Sequence, residues 1–249
     1  YIYTNVKKDV SVASLSGGTD IVGCFIGGNP LSVVRRGEIQ GPILGMDVHV
    51  YDENANSLKN EKGELVCIKS FPSMPLFFWN DKNNEKYHDA YFNKYENVWC
   101  HGDYILKTEN DGFIIFGRSD TTLNPGGVRI GTAEIYRQVE QIEEVLEGLV
   151  VGQIWKGDTR VVLFVRLNEN SNLTEELMDK IKTKIRTGAT PRHVPAKIIS
   201  IKDIPRTKSG KIAELAVRDL IHNKPINNIT ALANPECLEE YKNIKELNF

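Results

Sequence analysis

Between Gly117 and Ile130 the chain reads Gly-Arg-Ser-Asp-Thr-Thr-Leu-Asn-Pro-Gly-Gly-Val-Arg-Ile, and this stretch divides it into two parts of different texture. Three glycines, a proline and two arginines in one run describe a constrained backbone that presents cations. Neither a helix nor a strand interior tolerates that mixture, and it matches neither G-x-G-x-x-G nor a Walker loop. The domain boundary is therefore expected near Asp120, giving a strand-rich part over 1–119 and an α+β part over 120–249.

In the first part, Val33 to Ile39, Met46 to Tyr51 and Gly63 to Lys69 are β-branched or alternating and predict short strands. Residues 81–95 predict a helix with Tyr87, Tyr91 and Tyr95 one turn apart. Asp103 to Lys107 and Phe113 to Phe116 predict strands joined by a turn at Asn110-Asp111-Gly112. In the second part, Ile135, Val139 and Ile142 fall on one helical stripe, and Arg160 to Leu167 predicts a strand. A further helix carries Leu173, Leu177, Ile181 and Ile185, with Glu175 and Glu176 favouring its N-terminal dipole and Gly188 and Pro191 ending it. A strand over 197–201, a helix after Lys211 and a last helix from about Pro235 complete the reading.

Composition narrows the function. The 31 Lys and Arg nearly balance 33 Asp and Glu, without the basic excess of a nucleic-acid surface. No apolar run approaches the roughly 20 residues that span a bilayer, so no membrane partner is expected. Cys24, Cys67, Cys100 and Cys237 are scattered without a C-x-x-C pair, arguing for packing thiols in a reducing cytosol rather than zinc ligands or a disulfide framework.

Three further segments carry chemistry. In Ser16-Gly17-Gly18-Thr19-Asp20 the glycines let backbone approach a ligand, the hydroxyl can meet a phosphate and the carboxylate can hold a magnesium ion; an ordinary Gly-rich turn is the alternative. In Trp99-Cys100-His101-Gly102-Asp103 the carboxylate can accept both hydroxyls of a ribose, or simply cap a turn. In Pro205-Arg206-Thr207-Lys208-Ser209-Gly210-Lys211-Ile212, Pro205 and Ile212 break the Walker pattern. What is left is a turn offering a lysine to phosphate charge, or else a solvated basic loop.

Taken in order, the four segments resemble the adenylate-forming superfamily of acyl-CoA synthetases, luciferases and peptide-synthetase adenylation domains. The run Thr121 to Tyr136 and the tail Ala231-Leu232-Ala233-Asn234-Pro235-Glu236 look like its acetoacetyl-CoA synthetase branch. The resemblance implies the C-terminal part of that fold: a strand-rich, β-barrel-like subdomain of the large domain, and a small mobile α+β domain with a helical tail. It implies ATP, CoA and acetoacetate as substrates, Mg2+ as cofactor, and two steps, acyl-adenylate formation and then thiol capture after the small domain rotates. By motif, Gly17, Gly18 and Thr19 would meet the adenylate, and Asp20, where relatives usually have Glu, would bind magnesium. Asp103 would hold the ribose, with Arg118 supporting ribose or phosphate. Asp120 would be the hinge, Gly127 would line the pantetheine tunnel, Arg129 would contact phosphate, and Lys211 would be the catalytic cation. Ser16 and Gly17 stand where acetyl-CoA synthetases place tryptophans, which implies room for a longer acyl chain.

The phosphate loop of this superfamily is not in the sequence, nor is the first part of the adenine pocket. The chain is thus expected to be a piece of a longer protein, designed or proteolytic, inactive alone and partnered by that protein's N-terminal part. Another short- or medium-chain acyl-CoA synthetase, or a binding remnant of the fold without chemistry, are the alternatives. Asp103, Arg118, Asp120, Arg129 and Lys211 are all present, which speaks against the remnant.

Overall fold

A computed structural model describes residues 1–226 and 228–248, which form two compact units, Tyr1–Ile115 and Phe116–Phe249. The first opens with the short helix α1 (Ile2–Asn5) and an extended lead into β1 (Ser16–Gly18), which pairs antiparallel with β2 (Gly23–Gly27); β2 in turn pairs with β3 (Gly41–Pro42). A second sheet has the order β4-β5-β6-β7, from Val48–Tyr51, Lys62–Cys67, Trp99–Lys107 and Phe113–Arg118. Helix α2 (Glu85–Tyr91) precedes β6.

Alternation along β4 sends Val48 and Val50 inward, where they join Ile21, Phe25, Ile26, Leu65, Trp99, Ile105 and Phe113 in one core. The 110–112 turn forms as expected, with Asp111 at φ 62° and the Thr108 amide donating to Gly112 O at 2.8 Å. Two expectations need correction. Val33 and Val34 are 66% and 67% exposed and belong to no strand; of Val33 to Ile39 only Ile39 pairs, exchanging two 2.8 Å bonds with Phe113. β-branching without a partner strand or a buried face is not enough. Tyr95 lies beyond the end of α2 and packs instead with Tyr51 and Val66.

The second unit is built on β8 (Val145–Trp155), β9 (Asp158–Leu167) and β10 (Lys197–Ser200), in the order β10-β9-β8. Strands β8 and β9 form a long antiparallel hairpin closed by Lys156-Gly157, both at positive φ (51° and 83°) as a tight two-residue turn demands. Strand β10 runs parallel to β9 after a crossover through α4 (Glu175–Gly188). Every residue from Val161 to Val165 is buried, so the sheet is covered on both faces. Leu163 and Val165 face α3 (Thr132–Val139) and α4, against Ile135, Val139, Leu177, Ile181 and Ile185. Val162 and Phe164 face α5 (Glu214–Ile221) and the tail, against Val217, Leu238 and Tyr241. The tail folds as 3-10 turns over Pro235–Tyr241 rather than as an α-helix, and the Leu247 carbonyl accepts from Arg160 at 2.7 Å.

Candidate functional site

In the first unit the Gly-rich segment is strand β1 and the turn after it. A side chain at Gly17 would collide with the backbone of Gly23 and Cys24, so this glycine is what lets β1 and β2 lie together. A bulky side chain such as tryptophan does not fit at Gly17 without separating these strands. A Cβ at Gly18 would stand 2.6 Å from the His101 ring, so Gly18 makes room for that imidazole. Thr19 and Asp20 follow in an exposed turn, and the Asp20 carboxylate accepts from the Tyr91 hydroxyl.

Asp103 sits in the middle of β6, only 8% exposed. Beside it His101, also buried, points Nε2 at Asp103 Oδ2, 3.9 Å away, while its Nδ1 takes the Trp99 indole N–H at 3.4 Å. Trp99 stacks on Tyr91 with ring centres 3.6 Å apart. His101 thus connects the first two segments on the Asp103 side, and Tyr91 does so on the Asp20 side. Neither contact can be read from the sequence: His101 lies within the Trp99–Asp103 motif, but its place depends on Gly18 lying opposite. Among the described residues no three His, Cys, Asp or Glu side chains cluster as a metal cage. One exposed carboxylate, Asp20, suits a magnesium ion that takes most of its ligands from phosphates and water.

In the second unit Ser119–Thr121 form one 3-10 turn, with Arg118 Nε 3.6 Å from Asp120 Oδ1 and the Thr121 and Thr122 hydroxyls each 3.1 Å from the Arg118 carbonyl. Buried Leu123 and Ile130 exchange two 2.9 Å backbone bonds, closing 124–129 into a presented loop. At its tip Gly126 and Gly127 have φ of 58° and 77°, with the Gly126 amide held by Asp158, and Arg129 is exposed.

Lys211 closes a tight turn. The Gly210 amide donates to Thr207 O at 2.8 Å, and the Thr207 amide to Lys211 O at 2.8 Å, with Gly210 at φ 85°. Arg206 braces the turn through Gly210 O at 2.9 Å and pairs with Glu147. The Lys211 side chain is exposed at the end of a well-tied backbone.

Beneath the 119–121 turn Glu214 accepts from Tyr136, whose oxygen takes the Val150 amide at 3.0 Å. Burial raises the Glu214 carboxyl above the usual range, against lowering contacts from Tyr136, Thr121 and Thr132. Burial and the Glu214 charge push the Tyr136 phenol far up, so it stays neutral. Cys67, Cys100 and Cys237 are buried, and burial takes the Cys237 thiol up to about 11, as packing thiols should be.

Residues 134–211 match the model of the AMP-binding enzyme C-terminal domain. Over 247 residues, 99% of this chain, the sequence is 60% identical to an acetoacetyl-coenzyme A synthetase of Rhizobium meliloti (strain 1021), of which it spans 38%. The chain is thus similar to acetoacetyl-CoA synthetases along nearly its whole length. Similarity to an acetoacetyl-CoA synthetase of Xenopus tropicalis is 46% identity over 99% of this chain and 37% of that relative. An acetoacetyl-CoA synthetase structure from Streptomyces lividans superposes with a TM-score of 0.87 at 42% identity, covering 92% of this chain and 35% of that one. The chain therefore spans under two fifths of these relatives, and the mixed α+β architecture matches part of theirs.

Proposed function

We propose that this chain is the part of an acetoacetate–CoA ligase that holds the adenylate and carries the catalytic lysine. The observation that supports it most is the similarity to acetoacetyl-CoA synthetases along 99% of the chain, with the charged positions of all four segments intact. In the first half-reaction an acetoacetate oxygen attacks the α-phosphorus of ATP and pyrophosphate leaves. In the second the CoA sulfur attacks the acyl carbon, its proton is lost and AMP leaves.

Asp103 would accept the ribose hydroxyls, its buried carboxylate held in place beside His101. Gly18 and Thr19 would approach the adenylate phosphate from the β1 turn, and Gly17 would keep that turn in place. Asp20 would hold Mg2+, which supplies charge neutralisation to the ATP phosphates. Arg118 and Arg129 would contribute cations to ribose or phosphate, and Gly127 would lie beside the pantetheine arm. Lys211 would stabilise the charge that gathers on the α-phosphate as the bond forms, a role suited to a point charge on a braced turn. Asp120 would be the pivot between half-reactions.

ATP–pyrophosphate exchange by the full-length protein with acetoacetate, acetate and butyrate tests the reading. Acetoacetate should give the highest kcat/KM; a preference for acetate or butyrate would replace acetoacetate with another acid, and no exchange with any would point to a remnant of the fold.

A further inference from the structure

Helix α5 begins three residues after Lys211 and ends in contact with β8. Two residues one turn apart on it, Glu214 and Arg218, line one small cavity together with Thr121. Arg218 Nη1 donates to the Asp120 carbonyl at 2.7 Å, and its Nη2 is 3.2 Å from Asp219 Oδ1. Glu214 takes the Tyr136 hydroxyl, whose oxygen is fixed by the Val150 amide. At the other end of α5 the Ile154 amide donates to His222 Nε2 at 2.9 Å, so the ring proton sits on Nδ1 and points to Arg218 O at 2.6 Å. The helix is thus tied to β8 at both ends, and Arg218 projects from a rigid support.

We propose that Arg218 is a positioning residue that fastens the carbonyl side of Asp120 to the body of the second unit, so that the pivot lies in the torsions before that carbonyl. A guanidinium bond to a main-chain carbonyl fixes the peptide plane after Asp120. The Asp120 φ and the torsions of Arg118 and Ser119 are left to absorb any rotation. The helix that holds the Asp120 carbonyl is then the one that follows the Lys211 turn by three residues. This rests on the reading of Asp120 as the hinge.

The test uses the full-length enzyme, measuring pyrophosphate exchange and thioester formation from supplied acyl-adenylate for Asp120→Pro, Arg218→Ala, Arg218→Lys and the double variant Asp120→Pro with Arg218→Ala. Groups that act on one torsion couple, whereas independent sites multiply. Thioester formation should fall at least about tenfold in Asp120→Pro and about threefold in Arg218→Ala. The double variant should lose at least about threefold less than the product, and Arg218→Lys, which can still reach one carbonyl, should recover most of the single loss. Multiplying losses, or an Arg218→Lys no better than Arg218→Ala, would overturn the fastening while leaving the hinge. An Asp120→Pro that affects both half-reactions alike would overturn the hinge itself. If Arg218→Ala lowers Tm so far that it does not fold, Arg218→Gln takes its place in the cycle.

Discussion

Lys211 and Asp103 are placed by opposite means. The lysine is exposed on a turn whose backbone is tied by Thr207 and, at Gly210, by Arg206; the carboxylate is buried mid-strand beside an imidazole. A cation needed only as charge develops can be carried on a tether, whereas a ribose acceptor must be preorganised. In the full-length protein Lys211→Ala should therefore lose adenylation by roughly two to four powers of ten while still converting supplied acyl-adenylate to thioester; equal losses would remove Lys211 from the first step. Gly17→Ala should lower Tm and reduce turnover of every acid alike, because the added methyl meets backbone; a changed ratio of acetate to acetoacetate would return Gly17 to the acyl pocket. Glu214 has its carboxyl raised in the folded chain, so the folded state holds its proton to higher pH than the unfolded one. Its contribution is full below the unfolded value and is lost as pH rises through the folded one. Denaturant titration across the mildly acidic range should show that decline flattened in Glu214→Gln, and an unchanged slope would show the carboxyl to be unperturbed. Motifs single out the charged residues proposed for the site, but not the contacts of His101 with Gly18 or of Arg206 with Glu147, since each depends on a neighbour distant in sequence.

Among the elements, α4 was the most legible: its apolar stripe, acidic first turn and terminating glycine all agree, and Thr174 caps it by accepting the Leu177 amide at 3.2 Å. Thr174→Ala should cost about 1 kcal/mol, visible as a lower Tm with kcat unchanged; no shift would show that solvent replaces the cap. Strand β8 is the converse case. Its Gly148 and Gly152 look like breakers, yet a Cβ at Gly152 would stand 2.8 Å from Thr159, so a glycine eases cross-strand packing there. Of this hairpin the sequence pattern predicts only the β9 strand, over Arg160 to Leu167. The absent strand at Val33 and Val34 shows the opposite error, propensity without a partner. The last helix failed because Pro235 and the short spacing before Tyr241 favour 3-10 turns.

At the scale of the molecule, a sheet buried on both faces and a strand-rich unit with its own core are each self-contained. Proline at 120 would fix φ near −65° and restrict Ser119, so in the full-length protein Asp120→Pro should keep pyrophosphate exchange and lose thioester formation at least about tenfold, about 1.4 kcal/mol in that barrier. Loss in neither step would move the pivot, with Gly126-Gly127 the next place to look.

The β8–β9 hairpin also has a temporal consequence. Its two strands are joined by two residues and pair over almost their whole length, so their contacts are local and close on the microsecond scale of a hairpin. The parallel β10 must wait until α4 has crossed over, and α5 can dock only on a sheet that already exists. As the chain leaves a ribosome in N-to-C order, the hairpin is available as a template before Lys211 has been synthesised. The lysine-bearing turn and its helix are then added to a scaffold already standing.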